Sequence, residues 1–248
     1  MAVVGEDVCV GERCIVLVGN RGAGKSSAGN TILGKEVFDS RRTTQCVKRQ
    51  GDVAGRQVTV VEAPGWWRNY PLEETPRLTK EQLELSVSVC LPGPDTFLLV
   101  IRLDSRFTET QQRTTEEHLS LLGERVWRHT IVLFISGNRP GDTSIEQHLR
   151  EEKALACLVK KCGNRYHILN SRRRDDTTQV TELLEKIDHM VMGNNGCHYE
   201  ADTERLQQLE QKRRETSDQR TDIIETVKQQ RAFLRTLKGD LINHISVC

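Results

Sequence analysis

Gly19, Asn20, Arg21, Gly22, Ala23, Gly24, Lys25, Ser26 and Ser27 are the residues whose types and spacing carry chemistry. They fit the phosphate-loop pattern G-x-x-x-x-G-K-[ST], a sequence that wraps backbone N–H groups around phosphate oxygens. Gly22 and Gly24 permit the sharp turn and the close approach to an anion that a Cβ would obstruct. Lys25 is placed to meet the β and γ phosphates, and the Ser26 hydroxyl to ligate magnesium. The implied ligand is a nucleoside triphosphate.

A phosphate loop works only between a strand and a helix, and both are legible here. Cys14-Ile15-Val16-Leu17-Val18 is an apolar strand run, and Lys25 to Leu33 reads as a helix whose start adds its dipole beneath the same anion. Gly34 suits the helix C-terminus. Two further strand-like runs, Cys46 to Val53 and Gln57 to Val61, flank Gly55-Arg56 and predict a hairpin. It ends at Glu62-Ala63-Pro64-Gly65-Trp66-Trp67, which puts a carboxylate at the strand end where open α/β sheets bind ligands.

The remaining order is alternating. A helix is expected over Lys80 to Val89, strands over Thr96 to Leu103, Thr130 to Ser136 and Tyr166 to Leu169, and helices over Thr108 to Leu122, Ser144 to Lys161 and Thr177 to Met192. That alternation predicts a three-layer α/β fold, a mostly parallel sheet between helices. Loops after the strands converge on one sheet edge. There Thr43 is placed to reach magnesium from an exposed loop, and the Gly65 N–H to sense the γ phosphate.

Residues 1–11 read as a flexible lead-in, 12–192 as the nucleotide domain, 193–202 as a linker and 203–246 as a C-terminal helix or coiled coil. In that last stretch Ile223, Val227, Gln230, Leu234, Leu237 and Leu241 step by four and three. The same spacing fits an amphipathic helix folded back on its own domain.

The whole 248-residue chain has 36 Lys and Arg against 35 Asp and Glu, a formal charge of +1, so no global basic field argues for nucleic acid or an anionic membrane, local patches apart, and no nucleic-acid partner is expected. Its eight cysteines, Cys9, Cys14, Cys46, Cys90, Cys157, Cys162, Cys197 and Cys248, include no zinc spacing and read as reduced thiols. Cys14, Cys90 and Cys157 are expected as small core fillers. The longest wholly apolar runs, Phe97 to Ile101 and Ile131 to Ile135, fall far short of a membrane span. With no opening signal peptide, a soluble cytoplasmic protein is expected.

The block Gly19 to Gly34, G-x-x-G-A-G-K-S-S-x-G-N-T-I-L-G, closely resembles the GTPases of immunity-associated proteins, the GIMAP group, relatives of septins and dynamins. The likeness continues through Pro64-Gly65, Arg106-Phe107-Thr108-Glu109, and Asn164-Arg165-Tyr166-His167 up to Asn170, covering about Glu12 to Val191. It implies a P-loop GTPase fold that binds GTP or GDP with Mg2+, self-associates in a nucleotide-dependent way as a homodimer or oligomer, and hydrolyses slowly. By the same resemblance Ser26, Thr43 and Glu62 serve magnesium, Gly65 meets the γ phosphate, and Asn138 and Asn170 lie beside the base. A protein partner is expected at the C-terminal helix.

Two positions depart from the family pattern. Glu62 stands where an Asp is usual, and Ser136-Gly137-Asn138 stands where the family carries an Asp that accepts from guanine N1 and N2. Asn138 offers one acceptor and an unwanted donor. Asp142, four residues on, would have to shift in to compensate. The residue after Gly65 is Trp66, not a Gln or His that orients water, and Arg21 is a candidate for reaching across a dimer. Trp66-Trp67 reads equally as an apolar patch that covers the site or meets a partner, or as a plain core role for one of the pair. Two functions therefore stand: a nucleotide-dependent switch or assembly module with low hydrolysis, and a non-hydrolysing scaffold that retains the fold.

Overall fold

The structure is a computed structural model that describes residues 12–39, 43–136, 145–173, 176–216 and 228. Six strands form one sheet: β1 (Arg13–Val18), β2 (Val47–Val53), β3 (Arg56–Glu62), β4 (Thr96–Arg102), β5 (Thr130–Ser136) and β6 (Tyr166–Asn170). Their order is β2-β3-β1-β4-β5-β6, with β2 antiparallel to β3 and every other pair parallel. The hairpin turns on Ala54 and Gly55, both at positive φ, which matches the right-handed strand twist.

Alternation along each central strand sends successive side chains to opposite faces. Ile15, Leu17, Leu98, Val100, Ile131 and Leu133 join one apolar cluster with Ala28 and Ile32 of α1 (Lys25–Ile32) and Leu183, Leu184 and Ile187 of α6 (Thr178–Gly193). Outside that cluster, Leu83 of α2 (Arg77–Leu85), Leu119 of α3 (Glu109–Ser120) and Leu155 of α5 (Lys153–Lys161) are also buried. The fold is a P-loop GTPase fold, with the parallel strands all ending on the edge that carries the phosphate loop.

Thr108 caps α3 as expected, its side chain accepting from the Gln111 N–H while Gln111 reaches back to the cap. Two helices differ from expectation. The second starts at Arg77, directly behind Pro76, which has the fixed φ that suits a helix entrance. The stretch 145–161 is two helices, α4 (Ile145–Glu151) and α5, because Glu152 leaves helical geometry and its carboxylate accepts the Phe107 N–H at 2.9 Å.

The reading of all the cysteines as thiols is corrected by a Cys14–Cys90 disulfide. Cys14 opens β1 and Cys90 follows α2 just before the chain enters β4, the strand beside β1, so the parallel crossover brings together residues 76 apart in sequence. Cys157, expected in the core, is exposed, whereas Cys162 is fully buried and its thiol is pushed up to about 12 by that burial. Alkylation of the folded, unreduced protein is expected to label Cys157 and to spare Cys14 and Cys90 until a reductant is added, with peptide mass mapping as the readout.

His167 on β6 is 3% exposed, and its Nε2 has no hydrogen-bond partner. Burial, helped by Lys186, moves its imidazole from the ordinary 6.5 down to about 4. Between those values the unfolded chain holds the proton and the folded chain does not. Stability is therefore fully present above pH 6.5 and falls, by up to ~1.4 kcal/mol per pH unit, as pH drops toward 4. Denaturant titrations at stepped pH are expected to show this slope, and His167→Gln to flatten it in part, since His118 and His129 are shifted the same way.

Beyond the linker, residues 1–201 and 202–248 make separate compact units. In the second unit residues 203–216 are helical, and the Asp202 carboxylate accepts the Arg205 N–H at 3.0 Å in a normal N-cap. The seam from Ile223 to Leu241 lies outside the described residues. Among the described residues no helix is long and apolar enough to cross a membrane.

Candidate nucleotide site

The phosphate loop leaves β1 at Val18 and enters α1 through Gly24, whose φ of 100° would strain any side-chain-bearing residue. Gly24 caps α1 without a side-chain hydrogen bond, so the first-turn N–H groups stay directed at an incoming anion. A cavity of about 240 Å³ opens here, bounded by Arg21, Gly22, Gly24, Lys25, Ser26 and Ser27 of the loop together with Thr43, Glu62, Gly65 and Arg102. The structure thus brings Thr43, from a loop, and Glu62, from the end of β3, to the cavity that Ser26 lines. Gly19 and Asn20 act through their carbonyls, and Ala23 packs into the core cluster instead of lining the cavity.

Lys25 is the most constrained of these groups. It is 6% exposed, and its Nζ donates to the carbonyls of Gly19 and Asn20, both at 3.1 Å. Burial lowers its pKa to about 8, opposed by the Glu62 charge and reinforced by Arg21. The Ser26 hydroxyl donates to Glu62 Oε1 at 2.9 Å, while Oε2 of the same carboxylate is buried with no partner. Burial pushes the Glu62 pKa up, against the pull of Lys25 and the Ser26 bond. A buried carboxylate oxygen without a donor, next to a serine hydroxyl and a cavity-lining threonine, is an all-oxygen set that fits a hard divalent cation such as Mg2+.

Gly65 is the second place where only glycine serves. A Cβ there would lie 2.6 Å from Lys25 Nζ, 2.8 Å from Arg21 N and 2.9 Å from Asn20 C. The close approach is held by two bonds from Arg21, its backbone N–H donating to Trp66 O at 2.8 Å and its Nε to Gly65 O at 3.0 Å. The next residues then part. Trp66 is 2% exposed and stacks on His118 with ring centroids 4.6 Å apart. Trp67 is on the surface, with the Arg21 guanidinium 4.6 Å from its ring centre.

A second cavity of about 190 Å³ adjoins the first, between the ends of β4, β5 and β6; Ser136, Ser171 and Arg172 form its far wall. Asn170 ends β6, where its Oδ1 accepts the Arg172 N–H at 3.0 Å and its own N–H donates to Gln179 at 2.8 Å. Asn138 and Asp142 lie outside the described residues. Sequence reasoning missed Arg102, which lines both cavities and is paired through Nε and Nη2 with Asp104. The available signal was a cation closing the apolar run Thr96 to Ile101 at its C-terminal end.

Comparison with known proteins adds the family. The model described as "AIG1 family" matches residues 13–220. Human "GTPase IMAP family member 8" is 33% identical over 195 residues, covering 75% of this chain and 28% of that protein. This chain therefore spans little more than a quarter of that relative's length. Among solved structures, Toc33 from Arabidopsis thaliana in complex with Mg2+ and GMPPNP superimposes with a TM-score of 0.59 at 15% identity, over 73% of this chain and 85% of that one. A structure titled for the importance of dimerization to the GTPase activity of atToc33 and psToc159 gives 0.55 at 17% identity, covering 72% and 82%. At such identities the superpositions speak for the fold alone, and the family follows from the sequence match: the chain belongs to the AIG1 family, with the immunity-associated GTPases among its relatives.

Proposed function

We propose that this chain binds a guanine nucleotide with Mg2+ and acts as a nucleotide-dependent switch or assembly module with slow intrinsic hydrolysis. The observation that carries the reading is the Ser26–Glu62 pair beside the sealed Lys25, with one buried carboxylate oxygen left without a donor. Ser26 and Thr43 would hold the metal directly and Glu62 would stand behind it. When bound, the ion would supply positive charge against the phosphates. Lys25 supplies the fixed protein charge, and Gly65 offers a backbone N–H where the γ phosphate belongs.

Slow hydrolysis is supported by Trp66, the residue after Gly65. Its side chain turns inward onto His118, so this position sends no hydrogen-bonding group into the cavity to orient water. Self-association is supported by the exposed Trp67 and Tyr70 rings, 6.3 Å apart, which sit on the segment following Gly65 and move with it if that segment follows the γ phosphate. The C-terminal helix is kept in this reading as the contact for a protein partner.

The test is titration of the purified chain with a fluorescent GTP analogue and Mg2+, with GDP and ATP as competitors. Sedimentation velocity in each nucleotide state and single-turnover hydrolysis accompany it. Saturable binding displaced by GDP but not ATP, with a larger species in the triphosphate state, is expected. No binding at millimolar GTP and Mg2+ would sink the reading and leave the scaffold function.

A further inference from the structure

We infer that Arg102, held by Asp104, is a nucleotide-contacting residue that grips the phosphate nearest the sugar, at the junction of the two cavities. The inference rests on the nucleotide reading above and adds to it a residue outside the phosphate loop, the metal set and the base-reading loops.

The placement follows from strand register. Arg102 is the last residue of β4 and pairs with Ile135 of β5, and the Leu103 N–H donates to Ile135 O at 3.1 Å, which fixes the backbone at this point. Ile135 also bears on the phosphate loop, its Cγ1 lying 3.4 Å from where a Cβ of Gly24 would be. The end of β4, the end of β5 and the first turn of α1 therefore meet, and the two cavities share Gly24, Ser27 and Arg102. A ligand with its terminal phosphates over Lys25 and Ser26, and its sugar toward Ser136 and Ser171, passes Arg102 on the way.

The side chain is suited to that passage. Asp104 takes Nε and Nη2 of the guanidinium side-on, which orients the planar group and leaves Nη1 outside the pair. The Arg102 side chain is 50% exposed and that of Asp104 17%, so the carboxylate is the more enclosed of the pair and the cation the more open. A second cation, Arg172, stands on the far wall of the adjoining cavity. An oriented fork with a donor pair to spare, on the path of a polyanion, is a phosphate contact.

The phosphate next to the sugar is common to GDP and GTP, so loss of Arg102 affects both alike. The experiment is competition of unlabelled GDP and GTP against methylanthraniloyl-GDP on the full chain, for wild type, Arg102→Ala, Arg102→Lys and Asp104→Asn, each checked by thermal melt. Arg102→Ala is expected to weaken both nucleotides by a similar factor, about tenfold, and to lower the salt sensitivity of binding. Arg102→Lys recovers part of that loss. Asp104→Asn, which keeps the cation, loses less than Arg102→Ala; a purely structural ion pair would make the two equal. Unchanged affinities in Arg102→Ala, loss confined to GTP, or equal losses in Arg102→Ala and Asp104→Asn overturn the inference while the wild type still binds. Failure of the wild type to bind either nucleotide overturns the nucleotide reading itself, and the inference with it.

Discussion

Lys25→Ala is expected to reduce binding of guanine nucleotide by at least about 100-fold, beyond the range of an ordinary fluorescence titration, while leaving the fold intact by circular dichroism. The size follows from the setting of the amine. Its Nζ is sealed beneath the loop, bonded to the Gly19 and Asn20 carbonyls and close to the Glu62 carboxylate. Removing it leaves those oxygens facing the phosphates with no fixed protein cation between them. Water reaches this position poorly, because Lys25 is 6% exposed and Gly65 closes over it. A charge-assisted contact in such a place is worth more than the same contact on the surface. An Ala variant that binds within threefold of wild type would show that the loop does not hold the phosphates.

Trp66→Ala is expected to cost about 3–5 kcal/mol of folding stability, among the largest single effects available in the described residues. Its indole is 2% exposed and stacks nearly parallel on His118, which is itself tied to Thr75 and to the Thr114 carbonyl. Deleting the ring opens a cavity under the segment that carries Gly65 and leaves His118 without its stacking partner. The adjacent Trp67→Ala removes a ring that is 39% exposed and contacts Arg21 and Tyr70, and is expected to cost at most about 1 kcal/mol. Guanidinium unfolding midpoints of the two variants, compared at equal slope, check the contrast. Similar losses for both would contradict this division of roles.

The division also shows what the sequence could and could not disclose. Two consecutive tryptophans read equally as patch or core, because an extended segment sends neighbours to opposite sides and only the location of His118 tells which side is inside. The phosphate loop was readable because its chemistry is local: nine consecutive residues with a strand before and a helix after. The buried strands were readable for the same reason, each being a continuous apolar run. Features that depend on the crossover connections were not. Cys14 and Cys90 meet because β4 returns beside β1, and Arg102 reaches the cavity because β4 ends level with Ile135; neither relation leaves a periodic trace in the chain. The break at Glu152 was hidden too, since it answers to the backbone of Phe107 in another part of the molecule.

The Cys14–Cys90 bridge has a topological consequence. It turns residues 14–90 into a closed covalent ring, and that ring contains the phosphate loop Gly19 to Ser27 together with Thr43, Glu62 and Gly65. Arg102, Ser136, Ser171 and Arg172 lie outside it. A single proteolytic cut in the exposed loop near Thr43 would open the ring yet leave both fragments covalently joined, whereas a cut after β4 would leave the two fragments joined by strand pairing and packing alone. The molecule is thus divided by its own cross-link into a half that stays tethered after scission and a half held only by packing.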